Sequence, residues 1–224
     1  MRRNSTIILS LVFLLAAVLS VAGKFSANPW LNDLPTPVAT GLLLALAVSS
    51  WRTFKKNYAL GIAIGLLFSV LGDIALLRPA DYFLWGLVAF LFAHVAYLIA
   101  FTRDAKFPAR VFISLLFLFV AAALYLFLSP GLSSILKLPV AVYALLLASM
   151  AGQAMGRYAA MRSHAARLAA IGALLFMLSD ALLAIDRFRA PLPRASLLIL
   201  TPYFLGQWLI ALSTCEPSAP SLSH

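Results

Sequence analysis

The sequence predicts an all-α, multi-pass transmembrane bundle of eight helices, and three observations carry that prediction. Of 224 residues, 63% are hydrophobic and only 11% charged, and the mean hydropathy is +1.00, well beyond the apolar share of soluble domains. The apolar residues fall into eight runs of about 16 to 21, close to the roughly 20 that a helix needs to cross hydrocarbon. The gaps between runs are short and hold most of the basic residues, as in loops that anchor against anionic lipid.

The runs cover residues 6–22, 36–51, 58–77, 82–102, 109–128, 138–156, 165–185 and 195–214. The first follows Arg2 and Arg3 and ends Ser20-Val21-Ala22-Gly23, the layout of a signal peptide. Its apolar stretch of about 17 residues is long for one, so a retained helix is expected. The second run is short, and Pro35 and Pro37 suit its first turn, where a missing N–H is no loss. Short gaps make consecutive helices antiparallel neighbours in one domain, residues 1–214. A polar, proline-bearing tail, 215–224, is expected to be disordered.

The net charge of +10 would suggest nucleic acid in a soluble chain. No basic face interleaved with aromatics exists outside the gaps, which argues against such a partner. The N-terminus (Arg2, Arg3) and alternate gaps with Arg52, Lys55, Lys56, then Arg103, Lys106, Arg110, then Arg157, Arg162, Arg167 carry most of the positive charge. The opposite gaps hold Lys24, Arg78, Lys137 and finally Arg187, Arg189, Arg194. The positive-inside rule then puts both termini in the cytoplasm, with a bacterial inner membrane as the expected location. The single Cys215 excludes an intrachain disulfide, and His94, His164 and His224 have no metal-ligand spacing. No metal or cofactor is expected.

Two stretches stand out. Gly65 to Leu77 reads GLLFSVLGDIALL and Gly172 to Ala184 reads GALLFMLSDALLA, each with an aspartate eight positions after a glycine. An ionised carboxylate in hydrocarbon costs several kcal/mol unless paired or neutralised, so Asp73 and Asp180 are the primary functional candidates. An offset of 107 residues relates them, and one of 102 relates Pro37-Val38-Ala39 to Pro139-Val140-Ala141. This hints at two parallel four-helix halves, in which both aspartates would face one cavity; convergence of Leu-rich helices gives a similar pattern.

Counted from the loops at about 1.5 Å per residue, both aspartates lie roughly 8–9 Å beneath the outer boundary. Gly61, Gly65, Ser69 and Asp73 recur every four residues, a small-residue stripe that admits a neighbouring backbone. Tyr143 enters at the same depth, with Tyr203 and Gln207 at that level and deeper. His94 and Tyr97 share a face with Phe90 and Phe101, but the count puts His94 about 10 Å nearer the cytoplasm than Asp73. For these polar residues a packing bond across a helix interface is as good an account as a functional one. Asp33, Asp81, Asp104 and Asp186 are read as solvated loop caps or weak ion-pair partners, and His164 as a surface residue.

Two carboxyl groups near one another in low dielectric cannot both ionise cheaply, so one is expected to keep its proton. Such a pair suits general acid–base chemistry, and equally a proton-coupled carrier.

GLLFSVLGD, the run from Trp85 to Tyr97 (W-G-L-x-A-F-x-x-A-H-x-x-Y), GALLFMLSD with Ala184 to Phe188, and Tyr203 with Gln207 together resemble the YhhN-like lysoplasmalogenase family, over about residues 36–213. The resemblance implies an eight-helix membrane enzyme that hydrolyses the vinyl ether bond of lysoplasmalogens, giving a fatty aldehyde and a glycerophospho-alcohol. It implies that Asp73 and Asp180 are catalytic, with Tyr143, His94, Tyr203 and Gln207 lining the pocket for a lysophospholipid among membrane lipids; Tyr97 and Ser69, on the same helix faces as His94 and Asp73, are further substrate-binding candidates. The family pattern has a lysine just before the helix-two proline, where this chain has Thr36; Arg78 is the expected substitute cation for the head group. The alternatives from other classes are a proton-coupled lipid or small-molecule transporter and a lipid-binding scaffold.

Overall fold

The computed structural model describes residues 3–26, 28–51, 56–77 and 82–215, and among these the chain is helical apart from short connections. The helices are α1 (Arg3–Gly23), α2 (Pro29–Asp33), α3 (Pro35–Trp51), α4 (Lys56–Leu76), α5 (Phe83–Phe101), α6 (Val111–Leu128), α7 (Ser134–Met161), α8 (His164–Phe188) and α9 (Ala195–Leu212). Seven of them are long and apolar enough to cross a membrane, and α3 is a shorter apolar helix. The chain is an integral multi-pass membrane protein. Arg2, Arg52, Lys55, Arg78, Asp81 and the tail beyond Cys215 lie outside the described residues.

Most helix ends fall within three residues of the expected ones. Helix α7 is the exception: expected over 138–156, it runs from Ser134 to Met161 and takes in Arg157, read from the sequence as a loop charge. The physical reason is pairing. Arg157 is 1% exposed, and its Nε and Nη2 donate to the two carboxylate oxygens of Asp104 at 2.6 and 2.8 Å, with the guanidinium 4.8 Å over the Tyr58 ring. A bidentate guanidinium–carboxylate bond is among the strong ones in proteins. Asp104 is therefore no weakly paired surface acid. Beside it Gln153 donates to the carbonyls of Phe101 and Ala105 and accepts from the Ala109 amide, fixing the α5–α6 connection. The short α2 was not foreseen; Asn28 caps it by accepting from the Trp30 amide, with Pro29 in the first turn.

Six helices close a ring in the order α3, α4, α5, α7, α8, α9, back to α3. Helix α1 packs outside α3 and reaches α9, and α6 packs outside α7. The triplet α3-α4-α5 is thus ordered as α7-α8-α9 is, and the joints α5–α7 and α9–α3 correspond, as a parallel repeat requires. One departure stands out: α5 and α6, though consecutive, make little or no contact with each other, whereas α1 does lean on α9.

Close approach within each triplet depends on glycine. A Cβ on Gly172 of α8 would lie 2.6 Å from the Gly206 carbonyl oxygen and 3.0 Å from the Ile210 nitrogen, both backbone atoms of α9 that cannot swing aside. Its repeat counterpart Gly65 faces the Tyr97 ring of α5. The sequence stripe is therefore divided: Gly61 and Gly65 seat α5, while Ser69 and Asp73 hydrogen-bond to α9.

Gly172→Ala is expected to cost about 1–3 kcal/mol of overpacking, a fall in melting temperature of roughly 2–12 °C for a chain of this size. Thermal unfolding of the purified protein in detergent checks this. Gly41→Ala, inside α3 where a Cβ meets nothing within 4 Å, is the control and is expected not to lower the melting temperature.

Candidate active site

Asp73 comes to the end of α4 and Asp180 to the last third of α8, and each is met by side chains from two other helices. Thr40 of α3 donates to Asp73 Oδ2 at 2.5 Å and Tyr203 of α9 to its Oδ1 at 2.8 Å, the two hydroxyls being 3.3 Å apart. Tyr143 of α7 donates to Asp180 Oδ2 at 2.6 Å, and His94 Nε2 of α5 lies 3.5 Å from the same oxygen. The repeat maps one set onto the other: α3 and α9 serve Asp73 as α7 and α5 serve Asp180. Buried carboxylates need such partners, because unpaired charge in low dielectric is prohibitively costly.

An aromatic cluster links the two sets of partners. Phe176 packs edge-on to His94, Tyr203 and Phe90 with centroids 5.0, 5.6 and 6.1 Å away. Phe90 and Leu76 line both hollows that reach the aspartates. The first hollow, about 300 Å³, is bordered by Asp73, Asp180, Tyr203, Ser196, Asp186 and Lys24, at the end of the bundle where α1, α4 and α8 finish and α9 begins. The second is a narrow apolar cleft of about 70 Å³ among α5, α6, α7 and α8, which touches Asp180 and Tyr143 and is walled by Leu87, Leu124, Ala144 and Leu147. It lies beside the unpacked α5–α6 seam. Carboxylates, a polar chamber and an apolar cleft thus meet at one point.

His94 corrects the depth count. It was expected about 10 Å deeper than Asp73, yet it touches the aspartate layer. Two effects close the gap. Helix α8 continues to Phe188, so Asp180 sits eight residues, about 12 Å, before its end. Side chains also lean toward the N-terminus of their own helix, so Asp180 leans inward while His94, on an antiparallel helix, leans outward. Among the described residues neither His94 nitrogen has a hydrogen bond.

The other expected pocket residues are placed differently. Tyr97 Oη donates to Gln207 Oε1 at 2.7 Å, Gln207 Nε2 donates to Ser69 Oγ at 2.8 Å, and Ser69 donates to the Gly65 carbonyl. This buried chain ties α5, α9 and α4 and borders neither hollow, so for Tyr97, Gln207 and Ser69 the position is that of a helix tie rather than a pocket wall. Asp186, read as a loop cap, lies in α8 and accepts from the Leu192 amide. Thr36 is buried against Ser20 at 2.6 Å. Arg78 lies outside the described residues.

Two contributors were missed. Thr40 was legible in principle: it follows Pro37-Val38-Ala39 directly, one position short of the place that Tyr143 takes after Pro139-Val140-Ala141. Lys24 was counted only as a loop charge. It is half-buried in the polar chamber, where desolvation lowers its ammonium below the ordinary lysine value against the opposing fields of Asp33 and Asp73.

Comparison with known proteins agrees with this fold and motif set. Residues 31–214 match the YhhN family. The chain is 35% identical over 206 residues to "Lysoplasmalogenase TMEM86A" of Bos taurus, covering 85% of this chain and 84% of that protein. It is 38% identical over 156 residues to "Lysoplasmalogenase TMEM86B" of Homo sapiens, covering 69% and 63%, and 27% identical over 197 residues to "Lysoplasmalogenase homolog" of Dictyostelium discoideum, covering 71% and 64%. No solved structure matches. A multi-pass helical bundle carrying two aspartate motifs, matched from residue 31 to residue 214, therefore belongs to the YhhN family.

Proposed function

We propose that the protein is a membrane hydrolase that cleaves the vinyl ether bond of lysoplasmalogens, with Asp73 and Asp180 as its acid–base pair. One observation carries the reading: two intramembrane carboxylates border the same polar chamber, each hydrogen-bonded by hydroxyls of neighbouring helices. The relatives named as lysoplasmalogenases support it. By the positive-inside count the chamber opens on the outer side, with both termini cytoplasmic.

The chemistry needs a proton, a water and a place for positive charge. Protonation of the alkene carbon remote from oxygen gives an oxocarbenium ion. Water adds to that ion, and the hemiacetal so formed collapses to aldehyde and alcohol. Two hydroxyls point at both oxygens of Asp73, which suits the partner that stays charged and faces the cation. Asp180, at the junction of chamber and cleft, is the acid. It gives its proton to carbon; Asp73 takes one from the attacking water. In the collapse Asp73 returns that proton to the glycerol oxygen while Asp180 recovers one from the hemiacetal hydroxyl, so the site ends as it began. The hydrocarbon chain lies in the apolar cleft, entering through the α5–α6 seam, and the head group lies in the chamber.

A proton-coupled carrier is the second reading, favoured by the repeat, since many carriers are built from paired halves around a central site. Purified protein that moves lipid across proteoliposomes with pH but releases no aldehyde would select it.

Asp73→Asn and Asp180→Asn are each expected to lower aldehyde release by about 10²–10⁴-fold with folding retained, the usual worth of a positioned acid or base. Near-normal turnover in both would remove the aspartates from catalysis. Filling the cleft with Ala144→Phe is expected to raise KM for long-chain over short-chain alkenyl substrates by roughly tenfold, as one pocket contact can; a steady-state chain-length series measures it.

A further inference from the structure

The reacting bond accounts for the aspartates and the cleft, but not for the cation in the chamber. Lys24 follows the last turn of α1 and borders the chamber together with Asp73, Asp180 and Ser196. Among the described residues it is the only lysine or arginine on the walls of either hollow. A long aliphatic stem carries its ammonium, which suits a compact, mobile point charge for an anionic group. The carboxylates that reach it electrostatically are Asp33 and Asp73, and Asp186, on the same wall, is already engaged by the Leu192 amide. The first turn of α9 contributes Ser196 to the same chamber, where its hydroxyl can donate to an anion, at a helix end whose first amides have no partner within the helix.

We propose that Lys24 and Ser196 form the head-group subsite, in which the Lys24 ammonium binds the phosphate of a single-chain ether lipid and sets its register, so that the first chain carbons fall between Asp73 and Asp180. This rests on the reading that the chamber takes a lysolipid. It assigns to Lys24 the role that the sequence had left to Arg78. The subsite selects for phosphate, not for what the phosphate carries beyond it.

The test uses ligands that cannot be hydrolysed, so that binding is read apart from turnover. Affinity of the purified full-length protein in detergent is measured for a 1-O-alkyl-glycerophosphocholine and for a 1-O-alkylglycerol of equal chain length. Wild type is expected to prefer the phospholipid by at least about tenfold, the worth of one charge-assisted bond. Lys24→Ala is expected to bring that ratio close to one, Lys24→Arg to keep most of it, and Ser196→Ala to reduce it by a smaller factor. A wild-type ratio near one, or a Lys24→Ala protein that keeps the full preference, overturns the proposal. So does competition by inorganic phosphate at sub-millimolar concentration, which would make this a site for a free anion. Phosphate-dependent binding through Lys24 without aldehyde release would keep the subsite and refute the catalytic reading instead.

Discussion

The structure depends on one constraint: two carboxyl groups buried in hydrocarbon must be solvated by the protein itself. Each aspartate draws partners from the two helices beside its own, Thr40 and Tyr203 for Asp73, Tyr143 and His94 for Asp180. Those four partners sit on α3, α9, α7 and α5, which with α4 and α8 make the six-helix ring. Satisfying the carboxylates and closing the ring are therefore one requirement. The glycine contacts between α8 and α9 and the chain Tyr97–Gln207–Ser69 hold the same helices at the distance this needs.

The two halves are alike in the ring and differ outside it. Helix α1 leans on α9, while α6 leaves α5 uncovered, and the apolar cleft lies at that seam. The asymmetry gives the carboxylates different surroundings. Asp73, 4% exposed, is enclosed by two hydroxyl donors, whereas Asp180 touches both chamber and cleft. A near-symmetric pair in unequal settings is how one site obtains an acid and a base from a single residue type.

Much of this was legible in the sequence. Hydropathy located the seven long spans and the shorter α3 because lipid demands about 20 apolar residues per crossing, and the aspartates were conspicuous because lipid excludes them. The rest depended on side-chain reach and on pairing, which linear depth does not contain. Arg157 read as a loop charge until Asp104 was seen to neutralise it within the helix end. His94 counted as too deep because its lean, and the true end of α8, were invisible. Lys24 is one basic residue in a gap by sequence, and only the fold shows that α1, α4 and α8 finish, and α9 begins, around the chamber it borders. Ser69, Tyr97 and Gln207 carried the right chemistry for a pocket but found one another instead.

The central claim is that an aspartate delivers a proton to the alkene carbon of a vinyl ether. Turnover of a 1-alkenyl lysophospholipid by the purified protein in D₂O, with mass analysis of the aldehyde trapped as it forms, tests this most directly. The account predicts one deuterium per aldehyde, on the carbon next to the carbonyl, and its near-complete loss as product in Asp180→Asn. Aldehyde without that deuterium, or no aldehyde from the active wild-type fold, would contradict it.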